Sequence, residues 1–460
     1  MSAIPSLGIP ELAGISTYAG AARVGLSVEE NVRRLVRYHW IERRLMLIAV
    51  SHLPATPEWE VKCGLALHQW LDVGHASAFR TRITEMRNPA PRMDVSPDAA
   101  LDAFLDELLH ARDTIELLAG LYGVAHPALA AAYRSHIDRT NPLVDHPTVR
   151  VLRQALADED EMIGWGTRAL EACTTDATDR ARADAWMAHL RAFLDAAGGI
   201  AGEISPPAPA SLAPARGRER FAPDMHPRRD RRFAGQYNFN FPPHLVYNMP
   251  EVPADERNLA LLCKRTLEMD VPEMMASFIV ERAEQPWEFY VDYSRQLWDE
   301  ARHAMMGTVA FEARGIDWSR IPLNVSFALR LNLHATPLER QTMLYGIEQS
   351  LMPADTGKRF EKETAESSGD TLSAHFHDYD WADEVLHAQI GRRWVRREGI
   401  EPAEAIERTK AIHERTWAEL DRYRDRDPQA LWWRDFVQAV LGHESAVRES
   451  ELGDVKVISE

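Results

Sequence analysis

Two short runs constrain this chain more than any other feature: Glu300-Ala-Arg-His303 and Glu384-Val-Leu-His387. Each lies inside a long stretch without helix breakers, from Trp287 to about Glu312 and from Leu372 to Arg397, which reads as helix. Residues three apart leave a helix from one face, so each run aims a carboxylate and an imidazole at the same point. A metal held by oxygen and nitrogen needs that placement. One such pair carries little weight. Among 18 histidines, about one or two have a glutamate three residues earlier by chance at average composition, and Glu107/His110 reads as such an accident. The two runs share more than spacing, because an aspartate, Asp299 or Asp383, precedes each glutamate. Two such pairs on separate helices, each completed by a glutamate from another helix, is how helical bundles hold two metal ions. The plainer alternative is a set of surface ion pairs.

The remaining ligands follow from helical geometry. Glu300 lies 14 residues past Pro286 and Glu273 lies 13 before it. In an antiparallel hairpin turning at Pro286 the two are level, whereas Glu281 and Glu284 fall about 12 to 18 Å nearer the turn at 1.5 Å per residue. Glu273 is therefore the expected first-helix ligand. On the third helix, Glu348 is the carboxylate within the otherwise apolar Tyr-Gly-Ile-Glu-Gln-Ser-Leu, while Glu361, Glu363 and Glu366 sit in a charged stretch and read as solvated. The expected set is Glu273, Glu300, His303, Glu348, Glu384 and His387. Glu300 and Glu384 would bridge two ions, Glu273 with His303 would complete one, and Glu348 with His387 the other. Asp299 and Asp383 are placed to accept the outer N–H of a ligand histidine. Four carboxylates with two imidazoles favour iron or manganese over zinc or copper.

The Asp-Glu-Ala-Arg-His and Ala-Asp-Glu-Val-Leu-His-Ala-Gln-Ile-Gly runs resemble those of the ferritin-like superfamily of dinuclear-iron carboxylate proteins. The resemblance covers about residues 256–400. It implies a four-helix bundle, two iron ions (Fe/Fe or Mn/Fe) and chemistry with O2 as co-substrate, and it does not give a substrate.

The first half holds a worn copy of the same pattern. Ala157-Asp-Glu159-Asp-Glu-Met162 aligns with Ala382-Asp-Glu384-Val-Leu-His387, and Gly166 falls on Gly391. Asp72-Val-Gly-His75 aligns with Glu300-Ala-Arg-His303, Ile115-Glu116 with Ile347-Glu348, and Glu42 with Glu273 by its distance from Pro57. The counterparts are Glu42, Asp72, His75, Glu116, Glu159 and Met162. A thioether replaces the second imidazole, and it is a poor ligand for a hard site. A degenerate, structural first half is expected.

A chain of 460 residues exceeds what one core usually spans. Helical patterns run through both halves, and no useful length of strand alternation occurs. The expectation is an all-α protein of two tandem ferritin-like four-helix bundles: a degenerate one at 1–202, a Pro/Arg-rich coil linker at 203–255, and the metal-binding one with C-terminal helices at 256–460. Ser27/Glu30 and Thr336/Glu339 read as helix-starting capping boxes. The run of Arg216, Arg218, Arg220, Arg228, Arg229, Arg231 and Arg232 reads as a solvated linker, and the aromatic Tyr237–Tyr247 part as packed on a domain.

A net charge of −17 argues against nucleic acid as a bulk-charge partner. Cys63, Cys173 and Cys263 form no CxxC and read as buried thiols of a reducing, cytoplasmic compartment. Neither a secretory signal nor a run of 18 apolar residues is seen, so no membrane role is expected. The functional expectation is a non-haem diiron oxygenase or oxidase acting on a small organic substrate in the second bundle, as a monomer or homodimer, with an external electron donor. Trp287, Tyr290, Trp298, Tyr345 and Trp381 are pocket candidates and, more commonly for such residues, plain core. The alternatives are a ferroxidase or iron-binding protein without organic substrate, and an RNA-modifying diiron hydroxylase.

Overall fold

The computed structural model describes residues 7–203, 214–233 and 235–448, and every regular element among them is helical. In the first half the longer helices are α1 (Val28–His52), α2 (Trp59–Met86), α3 (Ala99–Leu109), α4 (Thr114–Gly120), α5 (His126–Arg139), α6 (His146–Cys173) and α7 (Ala177–Ala196). The second half has α8 (Ala254–Leu267), α9 (Asp270–Glu281), α10 (Trp287–Glu312), α11 (Ser326–His334), α12 (Pro337–Ser350), α13 (Lys358–Ser367), α14 (Thr371–Arg397), α15 (Pro402–Trp417) and α16 (Trp433–Leu441). The chain divides into two compact units. Unit 1 is Met1–Ile48 with His68–Ala222, and unit 2 is Ala49–Leu67 with Pro223–Glu460.

The capping boxes start their helices as the sequence implies. Ser27 N–H donates to Glu30 Oε2 at 3.0 Å, and Glu30 N–H donates to Ser27 Oγ at 3.2 Å. Thr336 and Glu339 cap α12 in the same reciprocal way, with Pro337 at its first position.

Two stretches that read as single helices in the sequence, 98–122 and 337–366, are broken, each for a local reason. The 98–122 pattern stops at Leu109 and restarts at Thr114, where the Asp113 side chain accepts from Glu116 N–H. The 337–366 pattern splits into α12 and α13 around Pro353, which has no N–H to give. The chain also bends between α8 and α9, where the ring of Pro272 would collide with the carbonyl of Glu268 four residues earlier. The break at Pro353 and this bend redirect site residues.

In unit 1, α6 packs on α4 and α5, and α7 packs on α3 and α4. The apolar segment Thr114–Arg139 has a mean hydropathy of 1.4 in its most apolar window, yet 67% of that window is buried in the protein, as befits a core helix. Gly166 on α6 lets the Tyr122 ring approach, since a Cβ there would sit 1.9 Å from Tyr122 Cγ. Gly166→Ala should therefore lower stability by about 1–3 kcal/mol, the usual scale of overpacking. Urea unfolding checks this, and a wild-type midpoint would show that the ring moves aside freely.

In unit 2, α10 packs on α8, α9 and α14, α12 packs on α9, α14 and α15, and α13 packs on α8 and α14. The arginine run is solvated in part, with Arg218, Arg220, Arg228, Arg231 and Arg232 exposed, but it is also tied to the body of the protein. Arg216 pairs with Glu116 within unit 1, while in unit 2 Arg228 pairs with Asp224, Arg229 with Glu273, and Arg232 with Glu60 and Asp230. The aromatic stretch is packed: Phe239 joins a core with Val325, Leu329 and Leu420, and Phe241 lies 5.7 Å from Trp432. Residues 204–213 of the expected linker lie outside the described residues. Of the three free thiols only Cys263 is fully buried; Cys63 and Cys173 are half-buried.

Candidate metal centre

Glu300, Glu348, Glu384 and His387 each offer a ligand atom, and the four atoms lie within 4.8 Å of one another. All four residues are buried, at most 3% exposed. They come from α10, α12 and α14, the helices carrying the two ExxH runs and the Glu348 segment. Gln296 Nε2 donates to Glu348 Oε1 at 2.9 Å and fixes that carboxylate, while Glu348 Oε2 has no hydrogen-bond partner.

A second group, Glu268, His303 and Asp380, adjoins it. His303 Nδ1 stands 3.2 Å from Asp380, 3.6 Å from Glu300 Oε2 and 4.0 Å from Glu268. His387 Nδ1 stands 3.2 Å from Glu300 Oε1 and 3.2 Å from Glu384 Oε2. Glu300 thus turns one oxygen to each imidazole, and the two rings are 5.8 Å apart.

The outer nitrogens are held crosswise. His387 Nε2 lies 3.3 Å from Asp299, the aspartate of the other run, and His303 Nε2 lies 3.2 Å from Asp383. Arg302 joins both aspartates, and Arg295 reaches Asp299 at 2.8 Å and Asp383 at 3.5 Å. Burial raises the Asp299 carboxyl, but hydrogen bonds from His387, Arg295 and Arg302 outweigh it and hold the group down at about 2. A permanently ionised acceptor keeps the imidazole Nε2 protonated and turns Nδ1 inward.

Glu273 does not join either group. Its carboxylate lies 2.5 Å from Lys62 Nζ and 2.5 Å from Arg229 Nη1, all fully buried within unit 2. The level argument counted along the helix just before Pro286 and did not weigh the separate helix that precedes it. The bend at Pro272 leaves Glu268, at the end of α8, beside His303 and turns Glu273 elsewhere. Glu281 pairs with Arg340.

Several residues at the site escaped the sequence reading, Glu268 among them. Asp380 lies four residues before Glu384 and seven before His387, a same-face spacing that could have revealed it. Glu361 is not solvated but 1% exposed, contacting Lys264, Arg265 and His377. Lys358, also 1% exposed, puts its ammonium 2.9 Å from Asp380, 3.2 Å from Glu384 and 3.4 Å from Glu268. Arg265 reaches Asp380 at 2.8 Å. Burial disfavours a charged His303, yet Asp380, Asp383 and Glu300 hold the ring protonated up to about 10. Imidazolium, ammonium and guanidinium are the side-chain cations of the cluster.

Of the aromatic candidates, Tyr345 belongs to a core with Val395, Ile400 and Ala405, and Tyr290 O–H donates to the Arg282 carbonyl. Trp287 stacks obliquely near Tyr290, and Trp298 lies under the Arg302 guanidinium. Trp381 is half-buried on α14.

In unit 1, Glu42, Asp72 and His75 converge as a buried group. Glu159 is buried with them, and Met162 is a core residue at 1% exposure. Glu116 stands apart: in the first turn of α4 it accepts from Arg112 N–H and pairs with Arg216, because Asp113 starts a new helix there.

Comparison with protein-family models, with curated proteins and with solved structures finds no match for this chain. What the fold and clusters define is a helical protein whose buried carboxylate and histidine groups are compatible with a dinuclear iron site.

Proposed function

We propose that unit 2 is a ferritin-like bundle with a dinuclear metal centre and that the chain is a non-haem diiron oxidoreductase acting with O2 on a small organic substrate. The two units would be tandem bundles of common origin. The observation that carries this reading is the crosswise lock: each run's aspartate holds the other run's histidine, and both Nδ1 atoms face Glu300.

The residues fit two ions. Glu348 Oε2 is buried without a hydrogen-bond partner, His303 Nδ1 faces the carboxylates of Asp380 and Glu300, and an oxygen-rich set with two imidazoles suits iron or manganese. Glu300, Glu348, Glu384 and His387 would hold one ion; His303, Glu268 and Asp380 would hold the other, with Glu300 shared. When bound, such a pair supplies the electrons that reduce O2. Around it, Asp299 and Asp383 fix both rings, and Gln296 orients Glu348. Every donor side chain except the partly exposed Glu268 is buried, which keeps water away and strengthens each electrostatic contact. An external donor would return the electrons in a reducing compartment.

Organic substrates offered to the iron-loaded protein under O2 test this against a ferroxidase. Substrate-dependent O2 uptake is expected, and rapid oxidation of excess Fe(II) with no organic product would contradict it. The RNA reading is the weaker alternative, since Arg216 and Arg229 of the arginine run are held by Glu116 and Glu273 and the chain carries a net charge of −17.

Lys358 gives a second test. Its ammonium occupies the meeting point of Asp380, Glu384 and Glu268 and so competes with the ion beside His303. Lys358→Met should take up that second ion at roughly tenfold lower free metal, a difference of about 1.4 kcal/mol. Calorimetric titration with Mn(II) reads it, and an unchanged second step would place the lysine outside the centre.

A further inference from the structure

Unit 1 contains a donor group whose one internal cation is the His75 imidazolium, held protonated by Glu42 and Asp158. Glu42 on α1 and Asp72 and His75 on α2 offer ligand atoms within 4.8 Å of one another. Glu159 on α6 lies near enough for its charge to act on Asp72 and His75. Glu42 and Glu159 are 0% exposed, Asp72 1% and His75 6%. Glu42 Oε2, Asp72 Oδ1 and Glu159 Oε1 are all buried without a hydrogen-bond partner. Tyr133 O–H donates to Glu42 Oε1 at 2.5 Å, and His126 Nδ1 lies 3.0 Å from Glu159 Oε2. Among the described residues, no lysine or arginine pairs with Glu42, Asp72 or Glu159, whereas Lys358 and Arg265 reach into the unit 2 cluster. Three buried carboxylates facing one imidazole are expensive to keep ionised together, and burial raises the Asp72 and Glu159 carboxyls accordingly.

The histidine here is prepared in the same manner as those of unit 2. His75 Nδ1 faces Glu42 at 3.2 Å, and its Nε2 lies 3.0 Å from Asp158. Asp158 immediately precedes Glu159, as Asp383 precedes Glu384. The His75–Asp158 contact therefore repeats the His303–Asp383 contact. What unit 1 lacks is the second imidazole, replaced by Met162.

We propose that unit 1 is not an empty relic but a mononuclear site for a divalent first-row cation, Mn(II) or Fe(II). Glu42, Asp72 and His75 ligate it through three side chains, and Glu159 supplies a further carboxylate. Oxygen donors with one nitrogen suit these ions, and loss of the second imidazole accounts for one ion in place of two. The inference stands on unit 1 residues alone and does not require the unit 2 centre to be correct.

The test uses the full chain with Mn(II) as the probe. In a His303→Ala/His387→Ala background that removes both unit 2 imidazoles, equilibrium dialysis with elemental analysis and the Mn(II) electron paramagnetic resonance signal should report about one tight ion per chain, as a single four-residue donor set implies. Adding His75→Gln or Asp72→Asn should remove it. As a check independent of that background, His75→Gln alone should lower the metal content of the otherwise unaltered chain by about one ion. A folded double variant that binds no Mn(II), or an ion indifferent to both His75→Gln and Asp72→Asn, would overturn the proposal and leave the carboxyls neutralised by protons. Failure of the unit 2 reading gives a different pattern: His75-dependent binding persists while His303→Ala and His387→Ala remove nothing.

Discussion

His387→Ala is expected to lose one metal ion per chain and to cut O2-dependent turnover by well over roughly 100-fold, more than the 10–100-fold typical of losing an outer partner of a ligand. The ring contributes the inward nitrogen between Glu300 and Glu384, at 3.2 Å from each. Its removal also leaves Asp299 without one of its donors. Asp299→Asn should be the milder change, within the roughly 10–100-fold range, because it disturbs only the orientation and basicity of the ring. Ile390→Val is the packing control. It sits on the same helix at 3% exposure, and its cost of about 0.5–1.5 kcal/mol should leave metal content unchanged. Elemental analysis and O2 uptake, measured on all three, separate ligand from scaffold. A His387→Ala protein with full metal content would remove this residue from the centre.

Glu273→Ala should have the largest effect on stability, lowering it by about 3–5 kcal/mol, the scale of breaking a buried ion pair. The carboxylate is fully buried between Lys62 and Arg229. Lys62 Nζ also donates to the carbonyls of Leu53 and Pro54, so it stays tethered when its partner goes. Asp270, pushed up to about 7 chiefly by burial and by the charge of Glu273, is the nearest remaining acid and softens the loss. Glu273→Gln should be intermediate, since the amide accepts one hydrogen bond without the charge. Neither variant should change metal content once folded. Chemical denaturation with elemental analysis decides, and a stable Glu273→Ala chain depleted of metal would restore Glu273 as a ligand.

What was legible in the sequence was what is local. The i,i+3 spacing alone placed Glu300 with His303 and Glu384 with His387, and the aspartates before them followed as partners for the outer nitrogens. The structure adds that the partnership is crossed between helices, which no spacing within one helix encodes. The all-helical class was equally legible, from uninterrupted 3.6-residue patterns and two capping boxes. What stayed hidden depended on where helices bend. Pro272 turns the chain at Glu268, so counting residues from Pro286 selected Glu273. Pro353 ends α12 and lets Lys358 enter the site at the start of α13, where the surrounding charged run had suggested solvent. Glu116 was misplaced for the same kind of reason, because Asp113 begins a new helix just before it.

The central claim is a dinuclear centre in unit 2, and anomalous scattering at the iron edge from crystals of iron-loaded protein tests it most directly. Two peaks are expected roughly 3.5–4 Å apart: one within about 2–2.2 Å of Glu348, Glu384 and His387 donor atoms, the other equally near His303, with Glu300 between. No peak among these side chains, with Lys358 still seated on Asp380 and Glu384, would contradict the account.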